Sequence, residues 1–66
     1  MQLIINGKER ETPELSTVAD LAQWMMLPAF GSAVELNGEV VRKANYEASP
    51  LKENDRLEVV RLVGGG

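Results

Sequence analysis

The sequence predicts an α+β domain: a mixed β-sheet of four to five strands with one main helix packed on one face. Three observations carry this expectation. Two Asn-Gly pairs, Asn6-Gly7 and Asn37-Gly38, each stand between short β-prone runs. One stretch between them, Val18 to Met26, places apolar residues at helical spacing. The last apolar run, Val59 to Val63, is rich in β-branched residues and holds no breaker.

Each element follows from local chemistry. Met1 to Ile5 is apolar, and Lys8 to Thr12 returns as a polar strand. The intervening Asn6-Gly7 suits a two-residue type I′ turn, which needs positive φ at both central positions. Met1, Leu3 and Ile5 share one face of the first strand, and Ile4 points to the other. Pro13-Glu14-Leu15 is a connection, and Ser16 or Thr17 caps the helix. Thr17-Val18-Ala19-Asp20 has the form of a capping box with Asp in place of Glu, and the acid suits the positive end of the helix dipole. Val18, Leu21, Ala22 and Met25 form the stripe toward the sheet, flanked by Trp24 and Met26. Such a stripe is read as core, not as a cofactor site. Pro28 and Gly31 are expected to stop the helix, leaving it about ten residues long.

Ala33 to Asn37 is the third strand, with Val34 and Leu36 on one face, and Val40-Val41 begins a short return. The likeness of the two Asn-Gly segments reflects equal hairpin length selecting equal turn residues rather than duplication. Arg42 to Lys52 is irregular and polar, tethered by Tyr46, Pro50 and Leu51. Glu53-Asn54-Asp55 is a turn, and Arg56 to Val63 is the final strand. In it Leu57 and Val59 share one face, and Glu58, Val60 and Leu62 the other. Residues 1–63 form the domain, and residues 64–66 are expected to be a flexible glycine tail.

Bulk properties narrow the function classes. Sixty-six residues make one domain. A chain of this size hides only roughly 60% of its unfolded surface, so it cannot build both a core and a deep private active site. The absence of Cys removes disulfides, a thiol nucleophile and thiolate metal ligands, and the absence of His removes the commonest general base. Acids outnumber bases by 10 to 7, a net charge of −3, which argues against nucleic acid and anionic membranes as partners. The surplus serves either solubility or attraction to a basic partner. No apolar window is long enough to span a membrane, and the N-terminus lacks the pattern of a signal peptide, so a cytoplasmic protein is expected. Asp20, Glu53, Asp55 and Glu58 are available as acids or bases, but charges in caps and turns are usually solvated. The glycines open no helix, so they form no phosphate-binding loop.

A helix between strands in so short a chain covers one face of one sheet. Setting the first strand beside the last, parallel, with the helix crossing behind, produces the β-grasp arrangement. On that arrangement Ile4, Val60 and Leu62 gather on the uncovered face, beside the root of the tail. They are a candidate docking surface, although scattered surface apolar residues are also common. Terminal glycines can be a linker or a disordered end. Here three of them follow the strand with almost no spacer and reach about 10 Å when extended, which suits a narrow channel in a partner.

The size, the Asn-Gly after the first strand, Ala33-Val34-Glu35-Leu36-Asn37-Gly38 in the middle, Asp55-Arg56-Leu57-Glu58 opening the last strand and Val63-Gly64-Gly65-Gly66 at the end together resemble the ThiS family of sulfur carriers in thiamine biosynthesis. The resemblance covers essentially the whole chain. It departs at Asn54, where the family often has Gly, but Asn also accepts a left-handed conformation. The resemblance implies a cycle. An E1-like, ThiF-type enzyme uses ATP to adenylate the Gly66 carboxylate. Sulfur from a cysteine desulfurase or rhodanese-type donor replaces the AMP, and the thiocarboxylate serves a ThiG-type thiazole synthase. Gly66 would bear the adenylate and then the thiocarboxylate, with Gly64 and Gly65 completing the tail motif. No cofactor is expected to bind stably, and the chain is a carrier, not an enzyme. The chemistry is coherent: an ionised carboxylate is a poor electrophile, and an acyl-adenylate gives it a leaving group. The rival readings are a small subunit of molybdopterin synthase, a carrier for tRNA thiolation, a ubiquitin-like protein modifier, and a non-covalent binding module with an idle tail.

Overall fold

A computed structural model describes residues 1–61. The elements in chain order are β1 (Gln2–Ile5), β2 (Lys8–Glu11), α1 (Val18–Trp24), β3 (Ser32–Leu36), β4 (Glu39–Val41), a 3₁₀ helix (Lys43–Ala48) and β5 (Arg56–Arg61). Leu62 and Val63, expected to complete the last strand, lie outside the described residues.

The five strands form one sheet in the order β2-β1-β5-β3-β4. β1 and β5 lie parallel at its centre, with Ile4 level with Arg56, and the other pairings are antiparallel. This is the β-grasp arrangement expected. Both hairpins close through Asn-Gly, with φ of 52° and 81° at Asn6 and Gly7 and of 52° and 90° at Asn37 and Gly38, as a type I′ turn requires.

The core lies between the sheet and α1. Leu3, Leu21, Leu57, Val18 and Val34 are fully buried, and Ile5, Leu15, Leu51 and Val59 complete the cluster. Alternation along β5 puts Leu57 and Val59 inward and Arg56, Glu58 and Val60 outward. The apolar bodies of Met25, Trp24 and Tyr46 pack around this centre, and the Arg10 guanidinium lies 5.3 Å from the centre of the Trp24 ring.

Thr17 caps α1 with the expected box: the Asp20 N–H donates to its hydroxyl at 3.4 Å, and the Asp20 carboxylate accepts from Thr17 N–H at 3.3 Å and Ser16 N–H at 2.9 Å. The helix is shorter than the expected ten residues, and neither Pro28 nor Gly31 ends it. Met26, with φ of 56°, turns the chain left-handed directly after the C-cap Met25. Leu27 N–H then donates to Ala22 C=O at 2.9 Å and Met26 N–H to Gln23 C=O at 3.0 Å, the bond pair of a Schellman motif.

The stretch from Arg42 to Lys52 holds more order than its polarity suggests. It contains the 3₁₀ helix and a backbone bridge in which Val18 N–H donates to Ser49 C=O and Leu51 N–H to Ser16 C=O, both at 2.9 Å. Leu51 is buried and Tyr46 half-buried, whereas Pro50 is exposed and tethers through this bridge rather than through its side chain.

Candidate functional site

β5 is the strand from which the chain passes to residues 62–66, and its end is anchored from three sides. β3 pairs with it as far as Ser32 opposite Arg61. The Arg61 guanidinium donates to the Met25 carbonyl, placing a cation at the negative end of α1. Asn6, in the first hairpin turn, uses its carboxamide on Val59: Val59 N–H donates to Oδ1 at 2.7 Å, and Nδ2 donates to Val59 C=O at 3.1 Å.

At the opposite end of β5 the second turn asparagine repeats the device. Asn37 Oδ1 accepts from Arg56 N–H at 3.0 Å, and its Nδ2 donates to the Asp55 carboxylate at 3.1 Å. Sequence reasoning read both asparagines only as turn formers. Their side-chain roles were invisible because each partner lies more than fifteen positions away in sequence, Asn6 and Val59 being 53 apart. Asp55 likewise corrects the expectation of a solvated charge. It is buried, and its carboxylate also accepts from Lys52 N–H at 2.7 Å, so it closes a turn. Asp20 serves the helix cap, Glu53 accepts from Gln2 N–H at 3.2 Å, and Glu58 lies on the exposed side of β5.

The sheet face away from α1 carries Ile4 and Val60, as expected, but does not bring them together. Ile4 is level with Arg56, and Val60 lies four positions further, about 13 Å along the strand. Ile4 is half-buried between Glu9 and Arg56. Val60, 51% exposed, faces Ala33 across the pairing, and the adjacent row holds Glu58, Glu35 and Val40. Leu62, Gly64, Gly65 and Gly66 lie outside the described residues. Two further large apolar side chains stand out in the loop between α1 and β3: Phe30, 90% exposed, and Met26, 82% exposed. The sequence reading placed Met26 on the flank of the core, which the left-handed turn at that residue reverses.

Among the described residues no group of three His, Cys, Asp or Glu side chains could hold a metal, and no helix is long and apolar enough to cross a membrane. Open depressions lie on the surface of the described residues, one of about 220 Å³ between Ala22, Leu27, Pro28, Lys43 and Tyr46 and one of about 370 Å³ beside Leu15, Asp20 and Trp24.

The sequence matches the ThiS family from residue 3 to residue 66. The chain belongs to the ThiS family. A ThiS crystal structure from Geobacter metallireducens superposes with a TM-score of 0.80 at 32% identity, each chain covered completely. The solution structure of a thiamine biosynthesis protein from the same organism superposes with a TM-score of 0.83 at 30% identity, over all of this chain and 88% of the other. The sulfur carrier protein ThiS of Bacillus subtilis is 34% identical over 97% of this chain and 98% of its own length. A thiazole synthase of Paramagnetospirillum magneticum is 38% identical over all of this chain, which spans only 20% of that protein. Some thiazole synthases therefore carry a ThiS-like stretch within a much longer polypeptide.

Proposed function

We propose that this ThiS-family chain is a sulfur carrier that works through the carboxylate of Gly66. A partner enzyme of the E1-like, ThiF type joins that carboxylate to the adenylyl group of ATP and releases pyrophosphate. The terminal sulfur of a persulfide on a cysteine desulfurase or rhodanese-type donor attacks the acyl carbon and expels AMP, and a thiol reductant then cleaves the acyl disulfide, leaving the sulfur on Gly66. The resulting thiocarboxylate delivers sulfur to a thiazole synthase for the thiazole of thiamine. The carrier itself catalyses none of these steps.

The observation that carries the reading is the family match running unbroken to Gly66, together with the near end-to-end correspondence to a protein named as a sulfur carrier. Thiazole as the destination is supported by two thiazole synthases similar to this chain along its whole length, at 38% and 33% identity. Docking is assigned to the open sheet face. Val60 and Ala33 there offer an apolar patch and Glu35 and Glu58 an acidic border, which favours a partner with basic residues around an apolar centre. The tail motif Gly64, Gly65 and Gly66 adds no side chain that would widen the segment entering a partner. A cytoplasmic location, beside such partners, belongs to the same proposal.

The test is direct. Purified protein is mixed with an E1-like enzyme, ATP and a sulfide source, and its intact mass is measured. Exchange of one oxygen for one sulfur at the C-terminal residue is the expected result. An unchanged mass across the adenylating enzymes of the source organism would end the reading. Isopeptide-linked adducts in place of that exchange would favour a ubiquitin-like modifier.

A further inference from the structure

The two edges of β5 are not finished in the same way. On the β3 side backbone pairing continues to Arg61. On the β1 side the last backbone bond is Asn6 N–H to Leu57 C=O at 2.8 Å, because the chain reverses at Asn6-Gly7. In a longer parallel strand the next rung would join Val59 N–H to the backbone carbonyl of residue 6, and Val59 C=O to the N–H of residue 8. Both groups of Val59 are instead met by the Asn6 carboxamide, at 2.7 and 3.1 Å. One side chain replaces one peptide unit of the missing strand.

Turn chemistry alone does not require this residue. Asn, Asp and Gly all accept the positive φ of the first turn position. Asp would offer Val59 acceptors only, and Gly would offer nothing, so Asn is the member of that set that satisfies both the N–H and the C=O. Val59 is two residues from Arg61, where the described strand ends.

We propose that Asn6 is a positioning residue for the terminal segment: its carboxamide extends the sheet by one rung beside Val59 and so sets the direction in which β5 passes the chain toward Gly66. This rests on the sulfur-carrier reading. Residues 62–66 follow directly on Arg61, so a shift of the strand end shifts the point from which they start. The effect belongs to encounter and alignment. A carrier whose strand end wanders binds its adenylating enzyme less often in the right pose, but reacts at the same rate once seated.

The second hairpin provides the matched control. Asn37 sits in the same turn type and also grips β5, but at Arg56 and Asp55, at the far end from the exit. Asn6→Gly and Asn37→Gly each keep the turn and delete the carboxamide. Amide hydrogen exchange on the carrier alone should show Val59 exchanging at least tenfold faster in Asn6→Gly, relative to Val34 as internal reference, and unchanged in Asn37→Gly. In ATP–pyrophosphate exchange with the adenylating enzyme, Asn6→Gly should raise KM for the carrier at least fivefold with kcat retained, and Asn37→Gly should leave both near the native values. Asn6→Asp, which keeps the acceptor and loses the donor, should fall between native and Asn6→Gly. Equal KM for the two glycine variants, or unchanged protection at Val59, overturns the proposal. Failure of the native protein to support any exchange counts against the sulfur-carrier reading instead, and the Val59 amide then decides alone whether Asn6 holds the strand.

Discussion

Glu35 and Glu58 stand directly opposite each other in the β3–β5 pairing, on the sheet face away from α1. Like charges in that position oppose strand pairing. The pair sits one row from Val60 and Ala33, so the repulsion is kept where the open face also carries its apolar patch. Reversing one charge should therefore stabilise the isolated protein. Glu58→Lys is expected to raise the melting temperature by about 2–4 °C at low ionic strength, with a smaller gain in high salt because the pair, exposed at Glu58 and half-buried at Glu35, is screened. The same variant should weaken binding to the adenylating partner. A lowered melting temperature would show that the two carboxylates do not repel, and unchanged binding would move docking off this face.

Met26 ends α1 in a left-handed conformation with its side chain in solvent. An L-residue in that region costs roughly 1–2 kcal/mol, which glycine avoids. Met26→Gly should raise stability in urea unfolding by about 0.5–1 kcal/mol, since glycine's greater freedom in the unfolded chain offsets part of the relief. A loss of stability would mean that the exposed methionine makes contacts that matter more than its backbone strain.

The Tyr46 hydroxyl is buried and has no hydrogen-bond partner among the described residues. A buried unsatisfied polar atom is destabilising, so Tyr46→Phe should increase stability by roughly 1 kcal/mol, the reverse of the usual loss. Burial also pushes this hydroxyl above its ordinary pKa of 10.0. The folded form holds the proton more tightly than the unfolded form, so stability contributed by the neutral phenol is complete below pH 10.0 and is lost as pH rises through the folded value. Denaturation curves of the native and Phe proteins should diverge further above that pH. Parallel curves would show that the hydroxyl titrates alike in both states.

Gly65 tests the tail without touching the described body. Gly65→Leu should leave circular dichroism and melting temperature unchanged and abolish formation of the thiocarboxylate, because a branched side chain widens a segment meant for a narrow channel. Thiocarboxylation at the native rate would refute the channel argument.

Much of the architecture was legible because it is written in short-range chemistry. Asn-Gly specifies a hairpin, Thr17 and Asp20 specify a helix start, and alternation in Leu57 to Val60 separates a buried from an exposed face. The end of α1 was misread because a methionine rather than a glycine occupies the left-handed position, and residue type alone marks Pro28 and Gly31 as the stronger stops. Ile4 and Val60 were correctly set on one face, yet their separation depends on the register of β1 against β5, which no local pattern encodes.

By itself, the order of residues determined the strands and the main helix, the side of each strand that meets the core, and the family, since these follow from spacing and turn chemistry along the chain; the 3₁₀ helix at Lys43–Ala48 was not among them. Only the folded arrangement decided that two turn asparagines hold opposite ends of β5, that Asp55 closes a turn instead of meeting water, and that two glutamates face each other beside Val60. Those relationships join residues distant in sequence, and their energies depend on hydrogen-bond distances and charge separations that exist only once the strands are in register.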